Sequence, residues 1–176
     1  MENSELDNEQ QQKVVSTLHD LVPEYTYYHY RHLHEAVRDA SKDYYQKRDY
    51  YNSIEESVKR YVSEVQKKAV LNETDTDLMN KAFGISDKTK EKLKVTAKYK
   101  KTDGTNFNQA TIENIEEAQK WLSVGLMKGV RNPLAHEEKK ELQESGLLTE
   151  TDALDYLSLL SHLFKRLENS LKENSK

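Results

Sequence analysis

Apolar positions recur every three or four residues along most of this chain, as in helices that bury one stripe. Val14, Val15, Leu18, Leu21 and Val22 keep that spacing and predict a short first helix that stops at Pro23, because proline lacks an amide donor and crowds the preceding turn. From Glu24 to Phe83 there is neither glycine nor proline. Val37, Ala40, Tyr44, Tyr51, Ile54, Val58, Tyr61 and Val65 continue the spacing, with polar Lys47 at a skipped position. The pattern fits one very long helix, or two broken near Tyr50-Tyr51-Asn52-Ser53, where Ser53 and Glu56 stand at capping-box spacing. Asp75 to Phe83 predicts a short helix with Asp75 as N-cap and Gly84 as a left-handed stop. Residues 85–108 predict a lysine-rich loop or flap insertion, in which the alternation of Leu93, Val95, Ala97 and Tyr99 allows a brief strand or short hairpin. From about Gln109 to Val130 runs a strong helix with Ile112, Ile115, Ala118, Leu122, Gly125, Leu126 and Gly129 on one face. Two glycines four apart would let a second helix approach closely there. A last helix begins around Thr149 and Thr151-Asp152 and carries Leu154, Leu157, Leu160, Phe164, Leu167 and Leu171. Residues 1–12 read as a disordered or fraying leader and 13–176 as a single helical domain. The fold class expected is all-α.

Composition sharpens this. Five glycines and two prolines in 176 residues, with 33% of positions charged, disfavour a strand-and-turn architecture and suit long solvent-facing helices. There is no cysteine, which excludes disulfides, thiolate metal sites and cysteine nucleophiles. No apolar run approaches the roughly 18–20 residues that span a bilayer, and the acidic start is the opposite of a secretory signal. No membrane association and a cytoplasmic location are therefore expected. The net charge of −4 hides an asymmetry: Lys88 to Lys101 holds seven lysines against one glutamate, a local +6, so the remainder carries −10. Within that strip Lys94, Lys98, Lys100 and Lys101 are candidates for holding an RNA backbone, the alternative being an ordinary solvated face.

The candidate chemistry lies at Arg131-Asn132-Pro133-Leu134-Ala135-His136. With six arginines and six histidines in the chain, an arginine five before a histidine arises by chance about 0.2 times, so context must decide. Pro133 disfavours a helix interior and pushes Asn132 out of helical geometry. Arg131 is thus expected to end the long helix, with Asn132 capping a new turn and Pro133 in its first position. On a straight helix five residues place side chains roughly 140° apart, and a bend at Asn132-Pro133 would aim both into one groove. His136 would then sit near a helix start, which favours a neutral base. Arg131 offers a permanently charged fork for phosphate oxygens. Such a pair suits phosphodiester transesterification, His136 moving the proton and Arg131 stabilising the transition-state charge. The plainer alternative is a helix-end arginine paired with carboxylates and a solvent-exposed histidine.

His29, His32 and His34 cluster in sequence, but His34 points away from the other two and no carboxylate pair completes a metal site. No metal or cofactor is expected. Nine of the eleven tyrosines lie between Tyr25 and Tyr61, suited to core margins and interfaces or to stacking on unpaired bases. Trp121 reads as a core or dimer-interface anchor.

The Arg-Asn-x-x-x-His sequence after a long amphipathic helix, with a final helix behind it, resembles the Arg-x4–6-His motif that defines the HEPN superfamily. The string Gly129-Val130-Arg131-Asn132-Pro133-Leu134-Ala135-His136-Glu137 is similar to the Ymh-like branch, and weaker echoes lie at Tyr30 to Ala40 and at Leu78-Met79-x-x-Ala82-Phe83. The resemblance covers about residues 25–170. It implies a HEPN-like helical bundle, a homodimer that brings two motifs to a shared cleft, and a metal-independent ribonuclease with Arg131 and His136 catalytic and Asn132 orienting them. It implies RNA as substrate and a toxin or antiphage-defence role, with an antitoxin or defence protein as a further partner. The alternative is a non-catalytic dimer that binds RNA, nucleotide or a partner protein. Two departures stand out. Asp43 to Thr74 is longer than in that branch, and no tyrosine closely follows His136, so silencing by nucleotide transfer onto tyrosine is not expected.

Overall fold

The computed structural model describes Val14, Tyr28, His29 and residues 31–84 and 93–172. The leader at 1–12, the first helix up to Pro23 apart from Val14, and Lys88, Lys90 and Lys92 of the lysine strip lie outside the described residues. The described chain is all-α: α1 (Glu35–Gln46), α2 (Tyr50–Ala69), α3 (Asp75–Phe83), α4 (Gln109–Leu126), a π-helical turn (Met127–Arg131), α5 (Asn132–His136), α6 (Lys139–Glu144) and α7 (Glu150–Asn169). A two-residue strand β1 (Leu93–Lys94) pairs antiparallel with β2 (Leu171–Lys172). Of the brief strand or short hairpin that the alternation at 93–99 allows, a strand forms, and β1 finds its partner far along the sequence, just beyond α7. Among the described residues no helix is long and apolar enough to cross a membrane.

The region from 35 to 69 resolves into two helices. Lys47 to Asp49 break the helix, with Arg48 in the left-handed region at φ 57°. Asp49 caps α2 by accepting from the Asn52 amide at 3.2 Å and from Asn52 Nδ2 at 2.7 Å. Ser53, expected to cap, is buried inside α2 and turns its hydroxyl back to the Tyr50 carbonyl at 2.8 Å. The break comes a few residues early, where Arg48 takes a left-handed angle and leaves Asp49 to cap the next helix, so that Ser53 falls inside its first turn. At α3 the N-cap is Thr74, not Asp75, and Gly84 has φ −66° rather than a left-handed angle. Glycine is needed there for close approach instead: a Cβ would lie 2.2 Å from the Asn80 carbonyl oxygen. α7 starts at Thr149 with a full Thr149–Asp152 capping box, as its sequence suggests.

α2 is the central strut. It packs on α1, α3 and α7, burying Ile54, Val58, Tyr61 and Val65 against Leu157, Leu160, Leu163 and Phe164. A buried polar cluster ties three helices together: Gln119 of α4 donates to Tyr61 Oη at 3.1 Å and to the Leu163 carbonyl at 3.4 Å, while Tyr61 Oη and Ser123 Oγ lie 2.8 Å apart. That cluster rotates α4 from its expected orientation. Leu126 and, in part, Ile115 of the expected stripe turn inward with Gln119, Ser123 and Val124, whereas Leu122, Gly125 and, just beyond α4, Gly129 face outward, and among the described residues no helix packs on the glycines. The polar residues go inside because Tyr61 and the Leu163 carbonyl receive the Gln119 amide nitrogen and Tyr61 meets Ser123 there, leaving Gln119 Oε1 as the cluster's unpartnered atom among the described residues.

The α1–α2 corner is pinned to α6 by Lys139 Nζ, 2.6 Å from Asp49 Oδ1. Burial alone would raise the Asp49 carboxyl, but hydrogen bonds from Lys139 and Asn52 outweigh it and bring the group below its ordinary value. A carboxylate depressed by folding adds stability that is complete above its unfolded value of about 4 and fades as pH falls through the folded value. Asp49→Ala should therefore lower stability by about 1 kcal/mol at pH 7. Urea unfolding should show this gap narrowing as pH drops below about 4. A gap that stays constant from pH 7 to acid would refute the ion-pair contribution.

Candidate functional site

The motif helix owes its shape to Pro133. In an unbroken α-helix its missing amide and its ring would both fall on the carbonyl of Gly129. The chain widens the turn instead. The Asn132 amide reaches back five residues to the Met127 carbonyl, and α5 continues from this π-turn with Pro133 in its first turn. Turns of this kind recur at functional sites.

The widening removes the expected bend. Asn132 is helical, at φ −67° and ψ −46°, and does not act as a non-helical cap. Arg131 and His136 therefore stay on one helical run about 140° apart, and no kink steers both into a single groove. His136 ends that run rather than starting one, since Glu137 turns extended at φ −109°. The helix-start electrostatics expected for it are absent.

Arg131 faces a groove between α2 and α5, closed at one end by the start of α3. Its volume is about 210 Å³, and Val58, Val62, Gln66, Asp75, Arg131 and Leu134 are among its lining residues. Arg131 Nε lies 3.1 Å from Asp75 Oδ1, and Nη1 donates to Asn132 Oδ1 at 3.5 Å. Asn132 is thus in contact with the guanidinium, consistent with an orienting position. Lys59 lies along the same wall, held by Glu56 at 2.9 Å and Glu55 at 3.2 Å; Glu56 chiefly, against the opposing effect of burial, raises its ammonium above the ordinary value. His136 is exposed and does not line this groove, although its neighbour Ala135 does. Among the described residues nothing bonds or pairs with His136.

Tyr51 fixes the middle of the motif helix. Its hydroxyl donates to the Leu134 carbonyl, and burial first, then Glu55, push the phenol up, so it remains a donor. Neither Tyr51 nor Asp75 is legible as a site residue from the sequence. Each reaches the motif from a distant segment through the packing of α2 and α3.

The lysine strip lies elsewhere in the protomer. Lys98, Lys100 and Lys101 are exposed, as is Lys94 on β1. The turn after β1 is anchored to α4 by Glu116, whose carboxylate accepts from the amides of Val95 at 3.0 Å and Thr96 at 2.8 Å. Glu116 precedes Arg131 by fifteen residues, about 22 Å along a helix. The structure does not bring these lysines to Arg131 within one chain. Of the three clustered histidines, His34 serves the fold: Nδ1 accepts from the Ala36 amide at 3.2 Å, and the ring stacks on Phe164 at 5.2 Å. Tyr28, Tyr45 and Tyr61 are buried, whereas Tyr25, Tyr27 and Tyr30 lie outside the described residues. Trp121 is no core anchor, being 60% exposed beside Leu122 and Gly125 on the outer face of α4, which leads into the exposed Gly129 of the π-turn.

Removing the Tyr51 hydroxyl should loosen α5 locally. In Tyr51→Phe the loss of one hydrogen bond, about 0.5–1.5 kcal/mol, should speed amide exchange in α5 by roughly two- to tenfold. Exchange unchanged from wild type would show that the contact does not hold the motif.

No curated protein and no solved structure matches the chain. The family model described as "Protein of unknown function (Hypoth_ymh)" matches residues 31–167, from just before α1 to near the end of α7 and with the whole groove and motif inside it. That match extends over more than half of the sequence, and the chain belongs to the Hypoth_ymh family.

Proposed function

We propose that this protein is a HEPN-type, metal-independent endoribonuclease that works as a homodimer in the cytoplasm, as a toxin or an antiphage-defence effector. The observation that carries this reading is a permanently charged Arg131 in a groove wall with an unpartnered, exposed His136 five residues later on the same helix. Nearby, the outer face of α4 and the following π-turn leaves Trp121, Leu122, Gly125 and Gly129 exposed, with no described residue packed on the glycines. That face leads into the motif, so a second copy seated on it brings two motifs together. The angle between Arg131 and His136 favours a site in which one chain supplies the arginine and its partner the histidine.

In that site His136 accepts the ribose 2′-hydroxyl proton as the 2′-oxygen attacks phosphorus. Arg131 balances the charge that builds on the non-bridging oxygens, held by Asn132. The bond from phosphorus to the 5′-oxygen breaks, and the leaving oxygen takes a proton from water or from the protonated His136. The products are a 2′,3′-cyclic phosphate and a 5′-hydroxyl. Neither step requires a metal. Lys94, Lys98, Lys100 and Lys101 then hold RNA backbone beyond the cleavage point.

A second reading, a non-catalytic dimer that binds RNA, nucleotide or a partner protein, draws support from the pairing of Arg131 with Asp75. Turnover separates the two. Wild type should cleave RNA in the presence of a chelator, and Arg131→Ala or His136→Ala should each lower the rate at least about 100-fold. Mixing the two variants should restore roughly a quarter of wild-type activity, because a mixed twofold dimer retains one intact composite site. Retained RNA affinity without turnover in wild type would favour the second reading. Wild-type rates in both variants would remove the catalytic assignment.

A further inference from the structure

We infer that Asp75 is a positioning residue for Arg131: it grips the Nε edge of the guanidinium and leaves the terminal nitrogens to meet a phosphate. This rests on the phosphate-binding role proposed for Arg131.

Three observations converge on Asp75. Its carboxylate forms an ion pair with Arg131 on the Nε side, with Oδ1 3.1 Å from Nε. A negative charge placed there restrains the guanidinium while its terminal nitrogens stay available. Asn132 Oδ1 reaches Nη1 only at 3.5 Å and engages that nitrogen weakly. Second, Asp75 opens α3 and has the chemistry of an N-cap, yet the cap is Thr74, which makes no side-chain bond to the helix. A carboxylate at a helix start is ordinarily drawn to its free amides. Here the carboxylate serves Arg131, and α3 goes without a side-chain cap.

Third, Asp75 has φ 52°, a left-handed angle that non-glycine residues adopt uncommonly, aspartate and asparagine more readily than others. Strain of this kind persists where surrounding structure over-determines it, and it collects at functional sites. Stability does not account for the arrangement. Arg131 and Asp75 are 39% and 34% exposed, and a pair so open to water contributes little to folding.

Asparagine separates orientation from charge. It tolerates the left-handed angle and places an amide oxygen where the carboxylate oxygen faced Nε, but its negative charge is gone. Alanine removes the grip altogether. With a short RNA as substrate, Asp75→Ala should lower kcat at least about tenfold without raising KM, since the guanidinium is no longer held while a charge that repels phosphate has also left. Asp75→Asn should keep kcat within about twofold to threefold of wild type and lower KM. A structural residue would instead lower the folded fraction in both variants and move kcat with thermal stability.

Nitrogen-15 NMR of the full-length protein supplies a readout that needs no cleavage. The Arg131 Nε–H signal, identified by its loss in Arg131→Lys, should exchange with water at least about tenfold more slowly than exposed arginines. It should keep part of that protection in Asp75→Asn and lose it in Asp75→Ala. Equal exchange in wild type and Asp75→Ala, or an unchanged kcat in folded Asp75→Ala, would overturn the inference. If wild type cleaves no RNA while the exchange pattern holds, the grip on Arg131 stands and the nuclease reading fails.

Discussion

A proline cannot donate the amide bond that its place in a helix demands, and the geometry of the motif follows from how this chain answers that constraint. Breaking the helix at Pro133 would have turned Arg131 and His136 toward each other. The chain instead absorbs the defect one turn earlier, where the Asn132 amide bonds to Met127 rather than to Lys128. The helical run therefore continues to His136 and holds the two side chains on different sides of it. Everything proposed about a shared site between two copies descends from that one displaced hydrogen bond.

The groove beside Arg131 shows how distant segments build a local environment. α2 supplies the apolar wall of Val58 and Val62, the start of α3 supplies Asp75, and Tyr51 clamps the Leu134 carbonyl from the opposite end. Both cations of this groove already have carboxylate neighbours, Asp75 for Arg131 and Glu55 and Glu56 for Lys59. A phosphate entering the groove thus meets oriented charge rather than bare charge. In the proposed reading, attraction over longer distances would fall to the lysine strip, anchored by Glu116 about 22 Å from Arg131 along the helical run.

Much of the fold was legible because helical periodicity is a local property. The all-α class, the start of α7 at Thr149-Asp152 and the run of α4 follow from spacing and capping chemistry within a few residues. Misreadings arose where partners far away in sequence decide. Gln119 and Ser123 look like a solvent face until Tyr61 and the Leu163 carbonyl receive them. Leu122, Gly125 and Gly129 look like a core stripe until that inward turn of α4 leaves them outside. Asp75 reads as a cap because nothing in its neighbourhood announces Arg131, fifty-six residues later. Arg131, Asn132 and His136 were visible as a group, but not the π-turn that sets their angle.

The ends of the RNA fragments test the proposed chemistry most directly. A defined oligonucleotide, cut in the presence of a chelator and read by mass spectrometry, should yield 2′,3′-cyclic phosphate and 5′-hydroxyl termini. The same oligonucleotide with a 2′-deoxyribose at the cleaved position should stay intact. Fragments ending in 3′-hydroxyl and 5′-phosphate, or cleavage of the deoxy substrate, would contradict attack by the 2′-oxygen and with it the role assigned to Arg131 and His136.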